Sequence, residues 1–442
     1  MNQKYSLQDN KISSLTLIFI YLLLITFVLG HYLFSIGIIG IQWYAYRVLV
    51  IFLVIFGVNG RLNSKIEKNF IYFGIILFVY SMFSLLWMPS FIAGFRYSAN
   101  IAFGILLTYV LLGLIDTKRM SFNKIFEHFS RAWMLAVFIS LIFLTKEVIS
   151  GQTMEFSRAR SVFGIEKSTH LYTSSFSGPS GYGPFLVIGL PLFLHMVFST
   201  KNFWERIIFF IGIILTSGAI ILTGSRVSAI AMIITFMLIG IMNIKRRALI
   251  VLMLLFCGII GALISYQINP KSYEKHFEQT SSALSDTSKR SSIRVRTIEF
   301  ANGISVLIDT NGLGCGPGNY VQYKKDHIDI LVFPELSLMG THSVILSIIA
   351  EYGLIIFVSF FFWFFFVFFS LFKISSMLRK MNRISESMAA KSLIVMQVVF
   401  FIWSFAFGGG LEFSLIWLFF ATITILSSSL SIYTANLERQ FR

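Results

Sequence analysis

Charged residues are scarce in this sequence: Asp, Glu, Lys and Arg make up 13% of its 442 residues, whereas hydrophobic residues make up 56%. Repeated apolar runs of about 20 residues predict helices that cross a membrane. Segments with the alternating pattern of a transmembrane β-barrel are absent, so the prediction is a helical bundle. A net charge of +16 would indicate nucleic-acid binding in a water-soluble protein, but here membrane topology accounts for it and no nucleic-acid partner is predicted.

Cysteine is also scarce, with Cys257 in a predicted span and Cys315 in a polar loop. This placement predicts neither a disulfide between them nor a thiolate metal site. The first apolar run, residues 15–29, lacks the small-residue pattern of a cleavage site and is predicted to stay as a membrane span. Internal repeats and low-complexity tracts are absent, so residues 1–442 are predicted to form a single polytopic membrane domain.

The apolar runs predict an all-α membrane protein with about twelve spans. Both termini are placed in the cytoplasm because the basic clusters around residues 61–68, 118–124, 245–247 and 373–383 then lie on the cytoplasmic side, as is usual in membrane proteins. The predicted spans are residues 13–32, 42–58, 69–88, 97–115, 131–149, 181–199, 206–222, 225–242, 248–267, 343–372, 391–409 and 411–430.

This topology predicts two sizeable loops outside the cytoplasm. The large loop, residues 268–341, lies between spans 9 and 10, and the smaller loop comprises residues 150–180. Within the large loop, Ser291–Ile308 has the apolar spacing of an amphipathic helix at a membrane surface. A glycine-rich stretch, Gly312-Leu-Gly-Cys-Gly-Pro-Gly318, then predicts an irregular turn.

Arginine is the informative residue type outside the cytoplasm, where the charge bias of membrane proteins disfavours it. Arg226 follows Thr223-Gly-Ser in a tight turn between two spans, and Arg294 and Arg296 lie in the large loop. Arg158 and Arg160 lie in the smaller loop as candidate substrate contacts. An arginine fork fits phosphate oxygens bidentately, which predicts binding of a lipid pyrophosphate. Alternatively, these arginines are ion-paired or reach toward the interface.

His342 stands where the large loop meets the next span. A histidine at a membrane rim can take a proton from a hydroxyl, and the alternative role is that of a helix cap. Glu351 follows nine residues later, on another face of the predicted helix, so the two do not form a local dyad. An aspartate-rich motif typical of metal-using membrane glycosyltransferases is absent from the outer loops, which favours chemistry without a metal.

The order and spacing of these motifs resemble the O-antigen ligase/polymerase superfamily over essentially the whole chain. The matching features are Thr-Gly-Ser-Arg226, Arg294 five residues before Glu299, the glycine turn ending at Tyr320, and His342 nine residues before Glu351. Ser343 stands where family members commonly carry asparagine. The resemblance implies a GT-C-like, inverting, metal-independent glycosyltransferase without a cofactor. It would act on undecaprenyl-pyrophosphate-linked glycans in the bacterial inner (cytoplasmic) membrane.

By resemblance, Arg226, Arg294 and Arg296 would bind the donor pyrophosphate and His342 would be the general base, with Glu351 and Tyr320 as candidate substrate contacts. The favoured function is polymerisation of O-antigen or capsular repeat units. Its partners would be the lipid-linked donor and acceptor, membrane lipid and a chain-length regulator protein. Three alternatives stay open: a ligase that transfers the glycan to lipid A–core, a flippase or transporter of lipid-linked glycans, and a peptidoglycan polymerase of the shape and division type.

Overall fold

A computed structural model describes residues 14–30, 35–38, 41–55, 62–115, 121–150, 173–176, 179–242, 292–334, 340–341, 343–405 and 408–441, with scattered positions between 248 and 259. We label its helices in chain order: α1 Ser14–Val28, α2 Ala45–Ile55, α3 Lys65–Phe83, α4 Phe91–Leu114, α5 Phe122–Ser150, α6 Pro179–Ser199, α7 Phe203–Leu222, α8 Arg226–Met242, α9 Ser292–Asp309, α10 Tyr320–Asp326, α11 Val344–Lys380, α12 Ile384–Ser404 and α13 Ser414–Phe441.

Among the described residues, eight helices are long and apolar enough to cross a membrane. They are α3 to α7 and α11 to α13. Shorter apolar helices at Thr16–Val28, Ala45–Ile55 and Arg226–Met242 coincide with three further predicted spans. The ninth predicted span, residues 248–267, lies mostly outside the described residues. The chain is therefore a multi-pass helical membrane protein, and the count of twelve spans stays a prediction.

A short hairpin departs from the all-α prediction. β1 (Ser35–Ile38) pairs antiparallel with β2 (Ile41–Tyr44), so that Ser35 lies opposite Tyr44. The isoleucines and the tryptophan of these strands favour extended structure. Their apolar character merges with that of the flanking spans, which is why the sequence indicated a span beginning at residue 42.

Helices α6, α12 and α13 form the centre of the bundle. In α6 and α13, 89% of the most apolar 18-residue window is buried, against 33% in α3 and α11. The peripheral helices instead expose large apolar side chains, among them Ile208 on α7 and Phe362 and Phe369 on α11. An apolar outer surface around a buried core is the arrangement that a lipid environment requires.

The large loop contains two of the described helices. Helix α9 matches the amphipathic helix predicted over Ser291–Ile308 and packs against α11, and α10 follows the glycine-rich turn. Helix α11 is interrupted at Gly353, whose φ of 70° and ψ of −173° are not helical. The break separates a buried segment, residues 344–352, from the long membrane-crossing segment that starts at Leu354.

The loop helices lie at one end of the bundle, which we call the site end. Helix α11 begins there and α12 returns there, because α9 packs beside the start of α11 and Phe405, just after α12, borders the same cavity. Following the chain through its spans places the first residues of α4, α6, α8 and α13 at the site end as well.

Candidate active site

The glycine-rich turn, residues 311–319, docks against the break in α11. Backbone N–H groups of Cys315 and Gly316 donate to the carbonyl oxygens of Ala350 and Glu351, both at 2.9 Å, and Leu354 N donates to Gly312 O at 2.8 Å. These bonds satisfy backbone groups that a helix interruption would leave unpaired. The turn and the broken helix therefore form one backbone-bonded unit.

Glycine is required in this turn by both conformation and space. Gly312, Gly314, Gly316 and Gly318 all have φ between 69° and 88°. A Cβ atom on Gly314 would lie 2.6 Å from the backbone nitrogen of Gly353. Such a contact cannot be relieved by side-chain rotation, because the backbone fixes the position of the Cβ atom and the neighbouring atom belongs to the backbone.

The opposite side of the turn is held by the connection between α3 and α4. Tyr80 Oη donates to Leu313 O at 2.6 Å, and Trp87 Nε1 donates to Gly314 O at 3.0 Å. The buried Asn319 side chain accepts from Ser90 N at 2.7 Å through Oδ1. The large loop is thus anchored to the first half of the bundle as well as to α11.

Glu351 and Tyr320, candidate substrate contacts by sequence, are internal in the structure. The Glu351 carboxylate accepts from Ser347 Oγ at 3.0 Å and from backbone N–H groups of Gly318 and Tyr320. The Tyr320 hydroxyl, buried with the rest of its side chain, donates to the Glu299 carboxylate at 3.0 Å. Both residues connect the glycine turn to neighbouring helices, and these contacts give them a structural role.

A buried ion pair joins α9 to α10. Lys324 Nζ lies 2.9 Å from Glu299 Oε2, and neither side chain is exposed. The ammonium also lies 4.3 Å from the centroid of the Tyr320 ring. Burial raises the pKa of Glu299 and lowers the pKa of Lys324, while their mutual contact opposes both shifts. Removing either partner would leave an unpaired buried charge, so the pair fixes α9 in its position.

Arg226 and Arg296 come close together at the site end. Arg226 is exposed at the first residue of α8, after a turn in which Ser228 N donates to Ser225 Oγ at 3.4 Å. Arg296 is half-buried on α9. Burial and the neighbouring charge of Arg226 both lower the pKa of Arg296. Two guanidinium groups from separate elements thus lie within electrostatic range of each other, an arrangement that is found in anion sites.

The side chain of Arg296 lines a cavity of about 360 Å³, which we call the arginine cavity. Ser343 and Leu346, at the start of α11, form part of its wall, and the dipole of a helix favours an anion at this end. Its lining residues are Arg296, Thr297, Glu299, Phe300, Ser343, Leu346 and Phe405.

His342 lies outside the described residues, but its neighbour Ser343 is well defined. Ser343 is the N-cap of α11: its Oγ accepts from Leu346 N at 3.2 Å and donates to Ser404 O at 3.1 Å. The N-cap position of this helix is thus taken by Ser343, while the role of His342 itself stays a prediction. Serine and asparagine are comparable N-caps, which explains physically why Ser343 can replace the asparagine common in the resembling family.

Other predicted site residues are only partly placed. Arg158 and Arg160 lie outside the described residues, and so does the side chain of Arg294, although its backbone belongs to α9. Within the described part of the chain, no group of three or more His, Cys, Asp or Glu side chains is arranged to hold a metal ion. The absence of a metal from the chemistry stays a prediction.

Lys324 and the anchoring residues Tyr80, Trp87 and Asn319 were not singled out from the sequence. Lys324 is four residues after Tyr320, a separation that places both on one helix face, and this is the signal that could have indicated it. The other three make contacts more than 220 residues away along the chain. Such contacts leave no local pattern in a single sequence.

The fold and the site together define a multi-pass helical membrane protein whose polar loop folds back to build an arginine-lined cavity at one end of the bundle. Residues 211–361 match the family model described as O-antigen ligase, Wzy_C. That segment contains Arg226, Arg294, Arg296, Tyr320, His342 and Glu351.

The teichuronic acid biosynthesis protein TuaE of Bacillus subtilis (strain 168) is 25% identical over 362 residues, which cover 77% of this chain and 70% of the relative. These two similarities support the resemblance of the chain to the O-antigen ligase/polymerase superfamily that its motifs predicted. They likewise support a membrane enzyme of the glycosyltransferase or ligase type.

Proposed function

We propose that this protein polymerises undecaprenyl-pyrophosphate-linked glycan repeat units on the extracytoplasmic side of the bacterial cytoplasmic membrane. The observation that carries the proposal is the approach of Arg226 to Arg296, whose side chain lines a cavity bounded by the start of α11. His342 immediately precedes that helix. Donor-binding arginines and a general base would thus meet at one place, in a GT-C-like architecture.

The orientation follows from charge. Described basic residues at the end opposite the site include Lys65, Lys68, Lys124, Arg379 and Arg383, and basic residues concentrate on the cytoplasmic side of membrane proteins. The site end is then extracytoplasmic, where lipid-linked repeat units would be presented. Both termini would be cytoplasmic.

The proposed reaction is an inverting substitution at the anomeric carbon of the donor glycan. The acceptor hydroxyl oxygen forms a bond to that carbon, and the bond from the carbon to the pyrophosphate oxygen breaks. The hydroxyl proton passes to His342, and the electron pair leaves with undecaprenyl pyrophosphate. Arg226 and Arg296 stabilise the negative charge that grows on the leaving group, and this stabilisation requires no metal ion. Arg294 is a further donor contact by resemblance.

A ligase that transfers the finished glycan to lipid A–core is the second candidate, since the matching family model is described as O-antigen ligase. The relative from Bacillus subtilis supports assembly of a polysaccharide, because its printed name assigns it to teichuronic acid biosynthesis. The two candidates share a donor and a site, and they differ in the acceptor.

Analysis of lipid-linked glycans in a deletion strain tests the proposal. Loss of a polymerase should leave undecaprenyl pyrophosphate carrying a single repeat unit, and the cloned gene should restore a ladder of longer chains. Accumulation of long lipid-linked polymer in the deletion strain would instead support the ligase. A ladder of normal length, attached normally to its final acceptor, would contradict both.

A further inference from the structure

A second cavity of about 300 Å³ lies at the site end, separate from the arginine cavity. The connection between α12 and α13 runs between the two: Phe405 lines the arginine cavity, and Glu412 lines the second. Its lining includes Tyr44, Tyr46, Arg47, Arg96, Asn100 and Glu412.

The lining combines aromatic rings with hydrogen-bonding groups. Tyr44 and Tyr46 are stacked with ring centroids 6.0 Å apart, and Phe176 adds a third ring. Asn100 supplies an amide that both donates and accepts. Aromatic faces beside a few placed polar groups suit a ligand with apolar C–H faces and many hydroxyls, which is the chemistry of a sugar ring.

Two buried oxygen atoms in this cavity have no hydrogen-bond partner among the described residues. One is Ser175 Oγ, whose residue is 3% exposed, and the other is Glu412 Oε2. The second carboxylate oxygen of Glu412 accepts from Gly410 N at 3.0 Å, so the side chain is fixed in place. Buried polar atoms are nearly always hydrogen-bonded, so these two oxygens require a partner in the cavity, either a ligand or water.

The charged side chains in the lining indicate which ligand charge the cavity favours. Arg47 is buried and fixed: its Nε donates to Tyr46 Oη at 3.0 Å, and its guanidinium lies 5.0 Å from the ring centroids of both Tyr44 and Phe103. Arg96 is exposed at the cavity. The guanidinium of Arg96 offers charged hydrogen-bond donors to an anionic group of a ligand.

A pyrophosphate fits this cavity less well than a sugar does. Pyrophosphate at neutral pH has few hydrogen atoms to donate, whereas Glu412 Oε2 needs a donor and would repel a multiply charged anion. A sugar bearing one carboxylate offers hydroxyl donors to Glu412 and Ser175 and a carboxylate to Arg96. The cavity volume is at the lower end for small-ligand sites, which matches one sugar ring rather than a whole oligosaccharide.

We propose that the second cavity is a saccharide subsite that binds a carboxylate-bearing sugar residue of the glycan. The proposal rests on the proposed function in that a glycan is the substrate. With the arginine cavity on one side of the α12–α13 connection and this subsite on the other, the chain would hold a glycan by a sugar residue as well as by the donor pyrophosphate.

Ligand-observed saturation-transfer NMR on the purified full-length protein tests the subsite without turnover, using D-glucuronate, D-glucose and inorganic pyrophosphate as probes. The comparison variants are the double variant Arg96→Ala, Asn100→Ala in the second cavity and Arg226→Ala, which lies outside it near Arg296. Glucuronate should bind to the wild type and to Arg226→Ala with equal affinity. Its affinity for the double variant should be lower by about tenfold or more. Glucose should bind more weakly than glucuronate. An unchanged thermal unfolding midpoint of the double variant verifies its fold.

Three results would overturn the subsite: no glucuronate signal with the wild type, an undiminished signal with the double variant, or equal binding of glucose and glucuronate. Displacement of glucuronate by pyrophosphate in Arg226→Ala would also overturn it, in favour of a second phosphate site. Arg226→Ala should lose glycan synthesis in cells and retain glucuronate binding. The synthesis assay therefore tests the proposed function, and the binding assay tests the subsite.

Discussion

His342 and Ser343 are adjacent in the chain, and we propose different roles for them. Ser343 caps α11 through Leu346 N and also bonds to Ser404 O. The cap is therefore complete without the histidine. In the proposed mechanism the imidazole of His342 is left available to accept the proton of the acceptor hydroxyl.

Substituting these two neighbours distinguishes a base from a cap. His342→Asn has no basic nitrogen, so glycan synthesis in a complemented deletion strain should fall about 10²–10⁴-fold. Ser343→Asn keeps a good N-cap and should retain synthesis close to the wild-type rate. Both proteins should reach the membrane in normal amounts, as judged by immunoblot. Normal synthesis by His342→Asn would exclude the general-base role.

The two arginines call for a test of geometry as well as charge. Arg226→Lys and Arg296→Lys each keep a positive charge but lose the planar fork that contacts two phosphate oxygens. Each should lose most glycan synthesis, by about tenfold or more. Arg439→Ala, on an exposed arginine at the far end of α13, is the control and should synthesise normally. If Arg226→Lys and Arg296→Lys both match that control, bidentate contact is not needed.

At the scale of elements, the glycine turn and the broken helix act as one unit. The break at Gly353 leaves backbone groups that residues 312–316 satisfy. The turn also contacts Tyr80 of α3 and Trp87 of the connection between α3 and α4. This unit fixes where α11 begins, and with it the wall of the arginine cavity. Its loss should therefore affect both stability and activity.

Gly314→Ala tests the unit because an added methyl would collide with the backbone of α11 in a left-handed conformation. The variant should unfold at a clearly lower temperature in detergent, with a destabilisation of about 1–3 kcal/mol or more. Gly218→Ala is the matched control: its position in α7 has no heavy atom within 4 Å of the added carbon. It should be neutral or stabilising by about 0.5–1 kcal/mol, since glycine weakens a helix interior. Equal unfolding temperatures would show that the docking is unimportant.

Elements that depend on local composition were predictable from the sequence. Hydropathy located the eight long helices, and apolar spacing predicted α9 to within a residue at each end. The interruption at Gly353 was not predictable, because a glycine within an apolar run is also common in unbroken membrane helices. The interruption is stabilised by hydrogen bonds to a turn about 40 residues earlier in the chain.

The candidate site was predictable only in part, for the same reason. The bias against arginine outside the cytoplasm pointed to Arg226 and Arg296, and the structure places them near each other. The Glu299–Lys324 pair joins residues 25 positions apart, and the second cavity combines helix ends from both halves of the chain. Such arrangements arise from tertiary packing and leave no spacing pattern.

At the scale of the whole molecule, function depends on which end of the bundle faces the cytoplasm. A cysteine introduced by Lys325→Cys, on an exposed residue beside the site, should react with a membrane-impermeant maleimide in intact cells. A cysteine introduced by Arg383→Cys, between α11 and α12, should react only after the membrane is broken. The reverse pattern would place the site in the cytoplasm and contradict the proposed reaction.

The whole account depends on the arginine cavity binding the donor's pyrophosphate, and direct binding of undecaprenyl pyrophosphate to the purified protein in nanodiscs measures this. Wild type and Arg439→Ala should bind with equal affinity. The double variant Arg226→Ala, Arg296→Ala should bind about 100-fold or more weakly, because two charged hydrogen-bonding groups are lost. Equal affinity of the double variant and the wild type would contradict the assignment of the site.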